Sequence, residues 1–133
     1  MRWIAAKIVR DAGVSSHDTV GQLGALHRYV RDEITFLGDI SNVETLQSPR
    51  YTLASRAGDC DDRAVLLSAL AGTIGIPTSF KLIGADPRSP GRFSHVYVLA
   101  RLGGRQIAMD PTYGNNALGW EYSGPTRTME VPV

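Results

Sequence analysis

The sequence predicts an α+β fold in which N-terminal helices and a buried central helix pack on a small antiparallel sheet. Apolar residues recur at helical spacing through the N-terminal part of the chain. A nearly continuous apolar run then begins after Cys60, and segments rich in β-branched and aromatic residues follow Pro77. Helices that precede antiparallel strands are typical of α+β proteins.

Two helices are expected at the N-terminus. Residues 3–12 carry apolar side chains at helical spacing and stop before Gly13, a common helix C-cap. A second helix, capped by Ser15, Ser16 or Asp18, has apolar residues spaced by three and four. That apolar stripe consists of Val20, Leu23, Leu26, Val30 and Ile34.

Residues 36–55 show no regular period. Gly38, Asn42 and Pro49 are typical breakers of regular structure, so we expect a loop here with one helical turn around Glu44. Loops of this kind often carry functional residues.

The central helix is expected over residues 60–74. Asp59 is well placed as its N-cap, and Asp61 and Asp62 favour the positive end of the helix dipole. Gly75 ends the helix. Because almost every position past the first turn is apolar, this helix should be buried on most of its sides.

Strands are expected at residues 79–84 and 93–102, which are rich in β-branched and aromatic residues. Gly103 and Gly104 join the second of these to a strand at residues 105–110 as a tight hairpin. A last short strand is expected at residues 129–131.

The composition is typical of one globular domain spanning residues 1–133, with 43% hydrophobic and 20% charged residues. The net charge is +1 and the 14 basic residues are scattered, which argues against nucleic acid or an anionic membrane as a partner. No apolar segment reaches the ~20 residues of a spanning helix. The N-terminal residues are also too polar for a signal peptide.

Cys60 is the first candidate for chemistry, and it is the only cysteine, so no intrachain disulfide can form. Backbone N–H groups and the dipole at a helix start lower the pKa of a thiol and can hold an oxyanion. Negative charge on Asp59, Asp61 and Asp62 opposes that effect, although capping is their expected role. A lone cysteine is more often a small buried hydrophobe, and that alternative stays open.

The predicted hairpin brings His95 and Asp110 together. With an even-length turn, Tyr97 faces Asp110, and His95 becomes a diagonal neighbour of Asp110 on the same face, about 7 to 8 Å away. The carboxylate can then fix the tautomer of the imidazole and leave its other nitrogen to take a proton from Cys60. Taken singly, His95 could be a core histidine and Asp110 a turn residue. Together the three residues match the nucleophile, base and orienting group of cysteine hydrolases.

The same residues resemble a known family, the transglutaminase-like superfamily, over about residues 28–112. The resemblance rests on residues 58–62 (GDCDD), 64–70 (AVLLSAL), 75–77 (GIP), 93–98 (FSHVYV) and 108–112 (AMDPT). It is strongest to short bacterial and phage-borne members. It implies a papain-like fold and the catalytic roles of Cys60, His95 and Asp110. A cytoplasmic location is expected, or a virion-associated one if the gene is phage-borne.

Further candidate site residues lie on either side of the three catalytic candidates in the sequence. Family members need a second oxyanion donor, for which Gln47 is the candidate. Tyr113 and Trp120 are candidates for lining a substrate cleft, although packing of the tail on the core would also account for them. His17 and His27 are expected on the surface or on a helix face.

The leading hypothesis is therefore a peptidase or amidase that forms a thioester at Cys60, with a peptide or amide-bearing substrate and no cofactor. Hydrolysis is expected over transamidation, since the latter needs a thioester shielded from water and a bound amine. A catalytically silent binding or assembly module of the same fold is the alternative. A metal site at Cys60 and His95 is the weakest reading, because the chain has one thiol and no Cys-x-x-Cys pair.

Overall fold

The computed structural model describes residues 1–37, 46–84, 88, 92–112, 116–121 and 127–133. The described helices are α1 (Arg2–Asp11), α2 (Thr19–Glu33), α3 (Pro49–Ser55) and α4 (Cys60–Thr73), and the strands are β1 (Thr35–Phe36), β2 (Ala57–Gly58), β3 (Thr78–Gly84), β4 (His95–Leu102), β5 (Arg105–Met109) and β6 (Arg127–Pro132). The predicted α+β class is confirmed. Within these ranges no helix combines the length and apolar character needed to cross a bilayer.

The two N-terminal helices form as predicted. Helix α1 ends before Gly13, whose φ of 71° is one that glycine adopts readily. Helix α2 is capped by Asp18, whose side chain accepts a hydrogen bond from the Gly21 N–H. Val20 is 42% exposed, so its place in the apolar stripe was wrong. The fully buried residues of α2 begin at Leu23.

The loop predicted over residues 36–55 is wrong at its C-terminal end, where α3 forms. Pro49 is the first helical residue, a position at which the missing N–H costs no intrahelical hydrogen bond. The Ser48 side chain caps the helix by accepting from the Tyr51 N–H. Strands β1 and β2 pair in parallel and are too short to leave a sequence pattern. The turn expected at Glu44 lies outside the described residues.

Helix α4 begins with a capping box. The Asp59 carboxylate accepts from the Asp62 N–H at 3.0 Å, and the Asp62 carboxylate accepts from the Asp59 N–H at 3.1 Å. The helix packs against the three other helices and against β3 and β4. Its central residues Leu66, Leu67 and Leu70 are fully buried, which confirms the predicted central helix.

The four larger strands form one antiparallel sheet in the order β5-β4-β3-β6. The hairpin between β4 and β5 turns at Gly103, with the predicted register: Val98 faces Met109. His95 is the first residue of β4 rather than a mid-strand residue. Helix α4 covers the face that carries Val98, while Tyr97 belongs to a second apolar cluster on the other face.

Candidate active site

Cys60 is the first residue of α4, and its side chain is half-buried. In the capping box the N–H of Asp62 donates to the Asp59 carboxylate. The first intrahelical hydrogen bond runs from the Arg63 N–H to the Asp59 carbonyl oxygen. The Cys60 N–H therefore has no acceptor within the helix. The thiol Sγ lies 3.7 Å from the Asp61 carboxylate, and the backbone N–H of Val96 lies near enough to the sulfur to act on the thiol pKa.

The pKa of the Cys60 thiol is raised to about 12 by burial first, and then by the negative charges of Asp61 and Asp59. The N–H of Val96 acts in the opposite direction but does not prevail. The expectation of an acidic thiol is therefore wrong. Desolvation and two adjacent carboxylates outweigh what the helix start contributes, so the resting side chain is a neutral thiol.

His95 and Asp110 are in direct contact, as the hairpin arithmetic predicts. His95 Nε2 lies 2.8 Å from Asp110 Oδ2, and the side chains are 14% and 0% exposed. Burial alone would raise the pKa of Asp110, but hydrogen bonds from His95 and Thr112 hold it below its ordinary value. An ionised carboxylate only accepts, so Nε2 carries a proton, and in the neutral form of the ring Nδ1 has the free lone pair.

The thiol lies beside β4, past the end of β5. The ladder between β4 and β5 ends at Val98 and Met109, so Val96 lies beyond the last pair. In the register of the hairpin, the residue opposite Val96 is Pro111, which has no backbone N–H. At this gap the Cys60 sulfur lies near the backbone N–H of Val96, the residue that directly follows His95. The site therefore lies where the sheet edge opens, at the start of α4.

His27 was expected on the surface or on a helix face without a role; it lies on α2 but is buried, so the surface alternative is wrong. The side chain is 1% exposed, and its Nε2 lies 3.0 Å from the Asp110 carbonyl oxygen. Asn116 donates to the same carbonyl oxygen at 3.1 Å. Burial lowers the pKa of His27, so it is neutral and donates through Nε2. Two buried side chains thus fix the peptide group of Asp110.

Arg63 binds the carbonyl groups of the two residues that follow Asp110. Its guanidinium donates to the carbonyl oxygens of Pro111 at 2.5 Å and Thr112 at 3.4 Å, and to those of Val30 and Arg31 at the end of α2. The residue is 2% exposed. Residues 110–112 belong to no helix or strand, so side chains from α2 and α4 replace the missing ladder. No local pattern in the sequence signals this role.

Gln47 lies beside the start of α4. Its backbone N–H donates to the Asp62 carboxylate at 2.8 Å, and its side-chain oxygen accepts from Thr52 Oγ1 at 3.1 Å. The amide oxygen is thus engaged, and the amide nitrogen is the donor of this side chain. Burial, together with the neighbouring Asp62, raises the pKa of Asp59 to about 7, so the acidic cluster carries a partial charge at neutral pH.

The proposed cleft residues are placed only in part. Tyr113 lies outside the described residues, and Trp120 is 37% exposed on the short segment 116–121. Next to it, Glu121 accepts a hydrogen bond from the buried Tyr97 hydroxyl at 2.7 Å and pairs with Lys81. Within the described ranges, no three His, Cys, Asp or Glu residues are grouped to hold a metal ion.

Comparison with known proteins identifies the family and the fold. A family model of the transglutaminase-like superfamily matches residues 5–111. A candidate cysteine protease of Cytophaga hutchinsonii superposes with a TM-score of 0.60 at 24% identity, over 95% of this chain and 41% of that one. A candidate protease of Parabacteroides distasonis gives 0.65 at 13% identity, over 81% and 22%.

Calcium-bound LapG of Legionella pneumophila gives a TM-score of 0.51 at 11% identity, over 96% of this chain and 81% of that one. At these identities the likeness shows a shared fold. The chain spans about two fifths of the first of these structures and about one fifth of the second. No curated protein sequence matches the chain.

Proposed function

The chain belongs to the transglutaminase-like superfamily, and from that membership we propose that it is a cysteine peptidase or amidase in which Cys60 attacks a carbonyl carbon. The observation that carries the proposal is the His95–Asp110 hydrogen bond beside a cysteine at the start of a buried helix. The structures of candidate proteases with this fold favour a peptide or amide as the substrate.

In the first step His95 Nδ1 takes the proton of the Cys60 thiol as the sulfur attacks the carbonyl carbon. Because the thiol is neutral at rest, proton transfer accompanies attack instead of preceding it. Asp110 keeps the imidazole in the tautomer with Nδ1 free and stabilises the imidazolium that forms. The imidazolium then gives its proton to the leaving amine, and the acyl group remains on sulfur as a thioester.

The oxyanion of the tetrahedral intermediate would accept a hydrogen bond from the Cys60 backbone N–H, which has no acceptor within α4. Gln47 is the proposed second donor, through its amide nitrogen. In the second step His95 removes a proton from water, the hydroxide attacks the thioester, and the Cys60 thiol is released with its proton restored.

Water is the proposed acyl acceptor because it needs no binding site of its own, whereas an amine must be held beside the thioester. The raised pKa of Cys60 is the observation that favours a second candidate, a module that keeps the fold without catalysis. A thiol that does not ionise is inert unless His95 acts on it during attack.

The test is incubation of the protein with a glutamine-containing peptide library, with and without a labelled primary amine. Hydrolysis is expected in the wild-type protein and is expected to disappear in Cys60→Ser. Dominant amine incorporation would replace the hydrolase proposal with transamidation. Cleavage that survives in Cys60→Ser would remove the thiol from the mechanism.

A further inference from the structure

An apolar groove of about 290 Å³ lies between the first half of α4 and the edge of the sheet formed by β3 and β6. It is called the α4–β6 groove here. Its apolar walls consist of Leu46, Ala64, Val65, Phe80, Leu82 and Val131. Two further lining residues, Asp61 and Val96, belong to the end that lies next to the thiol.

The groove exists because the sheet extends beyond the helix that covers it. Helix α4 packs on β3 and β4, and Phe80 of β3 faces Val131 of β6. On β6, Val131 is 39% exposed, and across the groove Leu46 is 69% exposed. Apolar side chains that line a concave site and stay open to solvent are typical of a binding surface.

The groove is continuous with the candidate active site. The Asp61 carboxylate lies 3.7 Å from the Cys60 sulfur and also lines the groove. Val96 also lines the groove, and its backbone N–H lies near enough to the sulfur to act on the thiol pKa. The mouth of the groove is therefore within reach of a side chain next to a carbonyl group placed at the sulfur.

We propose that the α4–β6 groove binds one aliphatic or aromatic side chain of the substrate, next to the carbonyl group that Cys60 attacks. This inference rests on the proposed function, because it places the substrate at the thiol. The volume lies at the lower limit of small-molecule sites, roughly 300 to 1,000 Å³, and suits a single large side chain. The groove thus gives the site a preference for apolar substrates.

The test measures alkylation of Cys60 and needs no catalytic turnover. Three probes are compared: iodoacetamide, N-pentyl iodoacetamide and an iodoacetamide with a hydroxyethoxyethyl arm of similar length. Rates come from intact-protein mass spectrometry at one pH and are divided by the rate of each probe with glutathione. Partial burial of the pentyl arm predicts an acceleration of about tenfold over iodoacetamide, with no gain for the polar arm.

Two variants test whether the faster alkylation by the pentyl probe depends on the groove. Val131→Asp is expected to bring the pentyl acceleration close to one, and Leu46→Ser, at a strongly exposed position, to reduce it without affecting folding. The matched control is Val133→Asp, since Val133 is 75% exposed near Val131 and does not line the groove. It should keep the full acceleration.

Equal acceleration by the pentyl and polar arms, or a pentyl effect that survives in Val131→Asp and Leu46→Ser, overturns the inference. No pentyl gain in the wild-type protein also overturns it, because the groove would then not take up an apolar arm attached at the thiol. Because the readout is alkylation, a groove effect without peptide cleavage would contradict the proposed function alone. Cleavage without a groove effect would contradict the inference alone.

Discussion

His95 Nε2 lies 2.8 Å from Asp110 Oδ2, and this hydrogen bond joins the first residue of β4 to a fully buried carboxylate one hairpin later. Thr112 donates to the other oxygen of the same carboxylate through its N–H at 3.0 Å. Both oxygens of Asp110 are thus engaged, and the ring of His95 is held in one orientation. The proposed chemistry depends on that orientation.

Asp110→Asn should lower turnover of an activated ester by roughly 10³ to 10⁴ while changing KM little. The amide can offer its nitrogen to His95 and so select the tautomer in which Nδ1 carries the proton and cannot act as the base. The measurement is kcat, with circular dichroism to show that the variant folds. Asp11→Asn, the same change at an exposed position on α1, is the control. Unchanged turnover in Asp110→Asn would reduce Asp110 to a turn residue.

Asp61→Asn should make Cys60 more reactive. The Asp61 carboxylate, 3.7 Å from the sulfur, is a major cause of the raised thiol pKa after burial. Its removal lowers that pKa and increases the thiolate fraction at a fixed pH. Because Asp61 is exposed and screened by solvent, we expect a rate increase of severalfold, up to about tenfold. Iodoacetamide alkylation at pH 8 measures it, and an unchanged rate would mean that the carboxylate does not act on the thiol.

Arg63→Lys should destabilise the fold, although the charge is kept. A lysine ammonium is compact and cannot span the four carbonyl oxygens that the guanidinium reaches from α4. Buried carbonyl groups left unpaired predict a loss of about 2 to 3 kcal/mol in the free energy of unfolding. Arg101→Lys, an exposed position on β4, should change it by less than about 0.5 kcal/mol. Equal urea midpoints for the two variants would contradict the role of Arg63.

The pH dependence of stability should change in His27→Gln. Burial lowers the pKa of His27 below 6.5 in the folded state. As the pH falls below 6.5, the unfolded chain therefore binds a proton on this side chain before the folded chain does. The wild-type protein therefore loses stability as the pH falls from 6.5 toward the folded-state pKa. Glutamine keeps a donor for the Asp110 carbonyl group and does not titrate.

The measurement for this prediction is the difference in unfolding free energy between the wild-type protein and His27→Gln at pH 8 and at pH 5.5. Other titrating groups, including Asp59 with its pKa of about 7, contribute to both proteins and cancel in that difference. The advantage of the wild-type protein should shrink at pH 5.5. A difference that stays constant would show that His27 titrates alike in both states.

The central helix and the β4–β5 hairpin could be predicted because their signals are local. Asp59 and Asp62 are spaced as a capping box, and Gly103 with Gly104 sets the register that makes His95 and Asp110 neighbours. Helix α3 was missed because Pro49 was taken as a breaker, whereas at a first helical position it favours the helix.

Long-range contacts could not be predicted from any local pattern. His27 contacts the carbonyl group of Asp110, which lies 83 positions further along the chain. Arg63 contacts that of Pro111, which lies 48 positions further along. The sign of the thiol pKa shift also depended on packing. The sequence shows the helix start and the acidic neighbours, but the burial that decides between them depends on the whole fold.

The most direct test of the Cys60 mechanism is mass spectrometry of the protein mixed with an activated acyl ester under mildly acidic conditions that slow release of the acyl group. The proposed thioester mechanism predicts a transient mass increase of one acyl group, carried by the peptide that contains Cys60 and removed by hydroxylamine. It predicts no adduct in Cys60→Ser and much slower formation in His95→Ala. An adduct on another residue, or equal rates of formation in the wild-type protein and His95→Ala, would contradict it.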